Sequence, residues 1–204
     1  DALDDNYTPY QIEFPLDAGC RKKISIVCTI EDVYEKDAFA TAAAEMARFD
    51  ALEKKAGYHD ELAETLTIAA DHFLAYRQST GLMTVLAGLP WFTDWGRDTM
   101  IALTGLTLST GRYQDARDIL TTFARYVHHG MVPNMFPDEG TAPLYNTADA
   151  SMWYFYAVGK YLDYTGTPED YAFVQETIYP KLKEIIAENK PGTYDCSDFG
   201  DGYR

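Results

Sequence analysis

Apolar and polar residues alternate from Tyr10 to Ile30, with Tyr10, Ile12 and Phe14, then Ile24, Ile26, Cys28 and Ile30, on either side of Asp17-Ala18-Gly19. A period of two puts every second side chain on one face, so this segment predicts a β-hairpin or two edge strands around a turn. A lone hairpin is marginal in water, and no partner strands follow. From Glu31 to Ala56 the pattern turns helical and alanine-rich with charge spread around it, which suits a connecting helix better than a core one; Gly57 stops it.

Helical periodicity then dominates, over about 61 to 77, 97 to 109, 113 to 129, 147 to 165 and 168 to 189. Gly111, Gly130 and Gly166 stand where a glycine ends a helix, and Thr167-Pro168-Glu169-Asp170 supplies a cap, a first-turn proline and first-turn acids. Pro180 predicts a kink or break near Tyr179. Between 113 and 127 the apolar residues Tyr113, Ala116, Ile119, Leu120, Phe123, Tyr126 and Val127 form one stripe, whereas Met152 to Val158 is apolar on every side. Alternation of striped and enclosed helices in antiparallel pairs is the pattern of a toroid of helical hairpins around a central cavity. A repeat solenoid is the competing architecture, and no recurring sequence with a period of about 33 to 47 residues supports it.

Composition narrows the function. The chain has 204 residues, 47% of them hydrophobic, enough for a packed core. Its 32 acidic and 17 basic residues give a net charge of −15, which argues against a nucleic-acid backbone or an anionic membrane as partner. A neutral ligand meets no such penalty. No apolar run is long enough to span a bilayer, and no secretory signal is visible. Cys20, Cys28 and Cys196 are odd in number and lack ligand spacing, so they read as reduced thiols and the compartment as cytoplasmic. His128-His129 stands at a helix end, where adjacent histidines cannot share a face as metal ligands would; no metal and no cofactor are expected. Asp195, Asp198 and Asp201 read as a solvated tail.

Two stretches carry the candidate chemistry. In Leu89 to Met100, LPWFTDWGRDTM, two tryptophans and a phenylalanine surround two aspartates, an arginine and a glycine. Gly96 removes a side chain where the chain enters a helix, so that Arg97 and Asp98 project from its first turn. A guanidinium fork and a carboxylate can together hold vicinal hydroxyls, while Trp91 or Trp95 covers the apolar face of a ring. The plainer reading makes Asp98 a helix-dipole partner, pairs Arg97 with Asp94 or Asp98, and buries the aromatics. The second stretch, VPNMFPDEGTAPLYNTADASMW from Val132 to Trp153, has a long Pro- and Gly-rich loop with Asn134, Asp138 and Glu139, and enters the enclosed helix at Tyr145-Asn146. Asn146 and Asp149 have the spacing of a capping box, which competes with a place in a pocket wall.

The ordered stretches AGLPWFTDWGRDTMIALTGL, VPNMF and YNTADASMWYFYAVGKY resemble the amylo-α-1,6-glucosidase region of glycogen debranching enzymes, especially the bacterial and archaeal type, over roughly residues 60 to 190. The resemblance implies a mainly α fold, part of the (α/α)6 barrel of six-hairpin glycosidases, after a short β segment from an N-terminal β-sandwich. On that division residues 1–32 end the sandwich, 33–59 are a linker helix and 60–204 are the first half of the barrel.

The Trp95-Gly96-Arg97-Asp98 stretch is similar to the glucoamylase Trp-x-Arg-Asp stretch, whose charged pair holds hydroxyls of the terminal glucose, and this implies that role for Arg97 and Asp98. Asn146 and Asp149 are given a place in the pocket wall, with Trp91, Asp94, Trp95, Asn134 and Trp153 as further substrate-binding candidates. The implied reaction is inverting hydrolysis of α-1,6 branch points in glycogen or limit dextrin. It needs an acid and a base about 6.5 to 9.5 Å apart. The family's proposed acid lies in a Trp-Met-Asp stretch with no match before Arg204, and the base lies farther on, so the chain reads as a fragment without its own catalytic pair and awaiting the other half of the barrel. A non-catalytic glucan-binding module and a helical scaffold that docks a protein are the alternatives.

Overall fold

The computed structural model describes residues 11–30, 32, 34–89, 91–136 and 142–188. Tyr10, Glu31, Asp138, Glu139, Asp195, Cys196, Asp198 and Asp201 lie outside them. The chain divides into two compact units, Asp1–Ala47 and Arg48–Arg204, and the division falls within one helix.

In the first unit the alternation of residues 11–30 yields the turn but not the strands. The Cys20 N–H donates to the Asp17 carbonyl at 3.0 Å and Gly19 has φ +80°, yet no ladder forms among the described residues on either side and Ile12, Phe14, Ile24, Ile26 and Ile30 are exposed. Two strands alone have no second layer on which to bury a face, so the pattern goes unused. The helix α1, Ala38–Ala56, begins later than the periodicity predicts because Asp37 caps it, its carboxylate accepting the Phe39 and Ala40 N–H groups at 2.9 and 3.3 Å. No residue of α1 is buried, as suits its mixed charge.

In the second unit α2, Glu61–Asp71, is capped by Asp60 and stops short of the predicted 77. Residues 74 to 77 instead form β1, Leu74–Arg77, paired antiparallel with β2, Leu82–Val85, in the register Leu74 to Val85 and Arg77 to Leu82. Ser79-Thr80-Gly81 turns the chain, with the Gly81 N–H on the Arg77 carbonyl at 2.9 Å. Thr84 and Val85 are buried, so this hairpin survives where the first does not because it has helices to pack on.

Next come α3, Gly96–Leu103, a π turn at Thr104–Leu108, and α4, Tyr113–Arg125. Then follow α5, Asp149–Tyr164, α6, Pro168–Phe173, a second π turn at Val174–Ile178, and α7, Tyr179–Glu188. The expected break at Pro180 is instead this π turn: the proline is the second residue of α7, so its missing donor falls where the hydrogen-bond ladder already changes register. Gly111 and Gly166 take the left-handed conformation of helix ends, but Gly130 does not end α4. It follows His129, whose φ is +47°, in a two-residue turn that joins His128 to Met131 by two 3.0 Å backbone bonds. The Thr167 and Asp170 side chains form the expected capping box.

The stripe of α4 is the core. Ala116, Ile119, Leu120 and Phe123 are fully buried, while Tyr113 falls outside at the helix start. They meet Ala150, Tyr154, Ala157 and Tyr161 of α5 and Met100 and Leu103 of α3. The Tyr154 hydroxyl donates to the Leu120 carbonyl at 2.8 Å, and burial pushes this phenol well above its ordinary pKa. The predicted all-round enclosure of α5 is not observed, since Met152 and Tyr156 are exposed.

Asp71 locks the end of α2. It is buried and takes ion pairs from Arg48 at 2.6 Å and from Arg112. Burial acts to raise its pKa, but the two guanidiniums outweigh it and hold the carboxyl below the usual range. A depressed folded pKa adds stability above the unfolded value of about 4, and that stability is lost as pH falls through the folded value. Asp71→Asn is therefore expected to cost about 2 kcal/mol at pH 7, discounted because Arg48 is partly exposed, and much less near pH 2. Urea unfolding at the two pH values checks this; an equal cost at both would show that the ion pairs contribute nothing.

Candidate functional site

The mouth is assembled by a short stitched ladder. Trp95 bridges Met135, Met135 bridges Leu144, and the Gly96 N–H donates to the Asn134 carbonyl at 2.8 Å. Asn134 N–H in turn reaches the Leu144 carbonyl at 2.7 Å. This joins the loop entering α3 to the loop entering α5. The close approach depends on Gly96, because a Cβ there would sit 2.1 Å from the Pro133 carbonyl oxygen.

Asp94 anchors the ladder from beneath. It is fully buried, accepting from Arg77 at 2.9 Å and from the Thr84 hydroxyl at 3.0 Å. Arg77 also lies over the Phe136 ring, 5.5 Å from its centroid, and Phe136 packs edge-on against Phe123 and Tyr126. Asp94, one of the substrate-binding candidates, thus has no exposed surface and lies within the frame of the mouth. The sequence does not single out Arg77 and Thr84, because the periodicity over 61 to 77 predicts helix where β1 forms; the short apolar runs flanking Ser79-Thr80-Gly81 are the signal for the hairpin.

Arg97 and Asp98 leave α3 in different directions. Arg97 donates to Asp149 at 2.7 Å across 52 residues of sequence, with both side chains 47% exposed. Its partner is thus the first residue of α5, a carboxylate that the plainer reading did not offer beside Asp94 and Asp98. Asp98 lines a cleft of about 340 Å³ otherwise formed by apolar residues, including Phe73, Leu86, Ile101 and Leu106. The capping box at Asn146 does not form: α5 starts at Asp149 with Ala148 as its cap residue, and no side chain caps it. Hydrogen bonding from Arg97 is the main cause that holds the Asp149 carboxyl below the usual range, against a smaller opposing effect of burial.

Asn134 is buried and donates its amide N–H to Asn146 Oδ1 at 2.9 Å, while Asn146 itself is exposed. Asn134 Oδ1 is buried and has no hydrogen-bond partner among the described residues. Trp95 is half-buried and edge-on to Phe92, with centroids 6.2 Å apart. Trp153, one turn beyond Asp149 on α5, is half-buried against the core and edge-on to Tyr156 at 5.6 Å. Trp91 is 84% exposed. Among the described residues no group of His, Cys, Asp and Glu could hold a metal ion, and no helix is long and apolar enough to cross a membrane.

A mainly helical structure with one small two-stranded sheet fits an α-rich glycosidase domain. The family model for amylo-alpha-1,6-glucosidase matches residues 68–196, and the chain belongs to that family. Over 160 residues it is 29% identical to the glycogen debranching enzyme of Saccharomyces cerevisiae, a match that covers 72% of this chain and 10% of the yeast protein. The chain thus spans about a tenth of the length of that relative.

Proposed function

We propose that this chain supplies the glucose-gripping wall of an enzyme that hydrolyses α-1,6-glucosidic branch points of glycogen or limit dextrin with inversion, and that residues 60–204 are the first half of its (α/α)6 barrel. The observation that carries the reading is the Arg97–Asp149 pair, exposed at the start of two packed helices and set within the family match. A preformed ion pair offers a sugar both a donor fork and an acceptor in one place. Trp95 and Trp153 supply the apolar faces, Asp98 reaches the glucose from the cleft, and Asn146, oriented by Asn134, adds a polar edge.

The electrostatics divide the work. A general acid must carry its proton at working pH, which calls for a raised carboxyl pKa. Asp149 is shifted the other way, which argues against the acid's role and suits a group that accepts hydroxyl hydrogen bonds and orients the ring. Proton transfer is left to carboxylates in the family's later stretches, and residues 1–204 alone bind glucan without cleaving it. The net charge of −15 costs nothing with a neutral polysaccharide.

The test is release of free glucose from a phosphorylase limit dextrin by the complete polypeptide bearing this region, with the anomer followed by NMR. Glucose appearing first as the β-anomer supports the reading. Glucan binding without turnover would make the chain part of a binding module, and indifference to glucan would make it a scaffold; either result overturns the proposal.

A further inference from the structure

We infer that Trp91 is a stacking platform for the glucan chain that carries the branch, separate from the groups that hold the terminal glucose, and so a determinant of preference for polymeric over small substrates. This rests on the proposed function. Trp91 is the most exposed of the tryptophans at 84%, and Leu89 and Phe92 beside it are 62% and 54% exposed. Exposure of one apolar residue means little, but an indole held out on a fixed support is a different matter.

The support is well defined. The Phe92 N–H donates to the Gly88 carbonyl at 2.8 Å and the Ala87 N–H to the Thr93 carbonyl at 2.9 Å, which ties the backbone following Trp91 to Ala87 and Gly88. The next residue, Asp94, is locked to Arg77 and Thr84, which fixes the base of the loop to β1 and β2. On the other side Phe92 packs edge-on to Trp95, the residue that opens α3 and stands two positions before Arg97. Trp91 is therefore linked to the mouth through its neighbour Phe92 and Trp95.

The chemistry that fits it is a pyranose face. A flat aromatic surface covers the C–H side of a sugar ring and leaves the ring's hydroxyls in water, which suits successive glucose units of a neutral chain. A rigid platform loses little freedom on binding. A branch substrate presents such a chain next to the terminal glucose; a one-glucose substrate does not. Binding to this remote part of the substrate lowers KM and adds little to the chemical step.

The experiment compares wild type, Trp91→Ala and Trp91→Phe of the complete polypeptide on a phosphorylase limit dextrin and on α-glucosyl fluoride. The expected result is that kcat/KM of Trp91→Ala falls about tenfold further on the dextrin than on the fluoride, through KM, and that phenylalanine restores most of the difference. Equal losses on both substrates, or no loss on either, overturn the inference. So does a lower unfolding temperature of Trp91→Ala matched by equal losses, which would mark a packing role. A wild type that releases glucose from neither substrate removes the proposed function itself, and is distinguishable from a wild type active on both whose Trp91 variants do not discriminate.

Discussion

Gly96→Ala is expected to destabilise the second unit by about 2 to 4 kcal/mol, roughly 1 to 3 kcal/mol from overpacking and about 1 kcal/mol from a strained or lost backbone hydrogen bond. The added methyl would lie 2.1 Å from the Pro133 carbonyl oxygen and 3.2 Å from both the Pro133 carbonyl carbon and Phe123 Cε1. Neither neighbour can give cheaply. Pro133 is held beside Asn134, whose carbonyl takes the Gly96 N–H and whose own N–H is tied to Leu144, and Phe123 is fully buried in the core. Gly105 is the control, because a Cβ there meets nothing within 4 Å. Gly105→Ala should be neutral or gain up to about 1 kcal/mol from helix propensity. Urea denaturation of the three proteins decides the matter: coincident midpoints for wild type and Gly96→Ala would mean that the two loops are not stitched as described.

Arg97→Ala should lower kcat/KM for a branched dextrin by one to two orders of magnitude in the complete polypeptide, since a hydrogen bond from a charged group to a desolvated sugar is worth roughly 1.5 to 3 kcal/mol. The loss has two parts. The donor fork disappears, and Asp149 loses the partner that both orients it and depresses its pKa. Asp149→Asn retains an acceptor oxygen and should cost less. It should also leave both limbs of the pH–rate profile in place, because a group already ionised through the neutral range is not the one whose titration limits the rate. Loss of a limb in Asp149→Asn would make that residue a proton carrier and reverse the assignment.

Much of the helical frame was legible because its signals are local. The stripe of α4, the capping box at Thr167 and the stop at Gly57 each depend on residues within a few positions of one another. The stretch around Gly96 stands out as a candidate site because its composition conflicts with both a core and a solvated loop. Partnerships were not legible. Arg97 has Asp94 and Asp98 close in sequence, and only the packing of α3 on α5 brings Asp149 to it; Asp94 meets Arg77 and Thr84 on a hairpin whose first strand the periodicity predicts as helix. The first hairpin failed for the opposite reason. Its alternation is stronger than that of β1 and β2, but strand formation is decided by what covers the strand, and residues 11–30 bury almost nothing.

The ladder through Trp95, Met135 and Leu144 also bears on the order in which this chain folds. The helical core can begin to condense from neighbouring segments, α3 with its π turn and α4 directly after it, whereas the Arg97–Asp149 pair requires closure across 52 residues. Such distant contacts are the slow ones, because the entropy of the intervening loop is lost before any bond repays it. The mouth is thus expected to take shape only with the docking of α5 on an α3–α4 pair that has already collapsed, so that folding passes through a compact state without the Arg97–Asp149 pair.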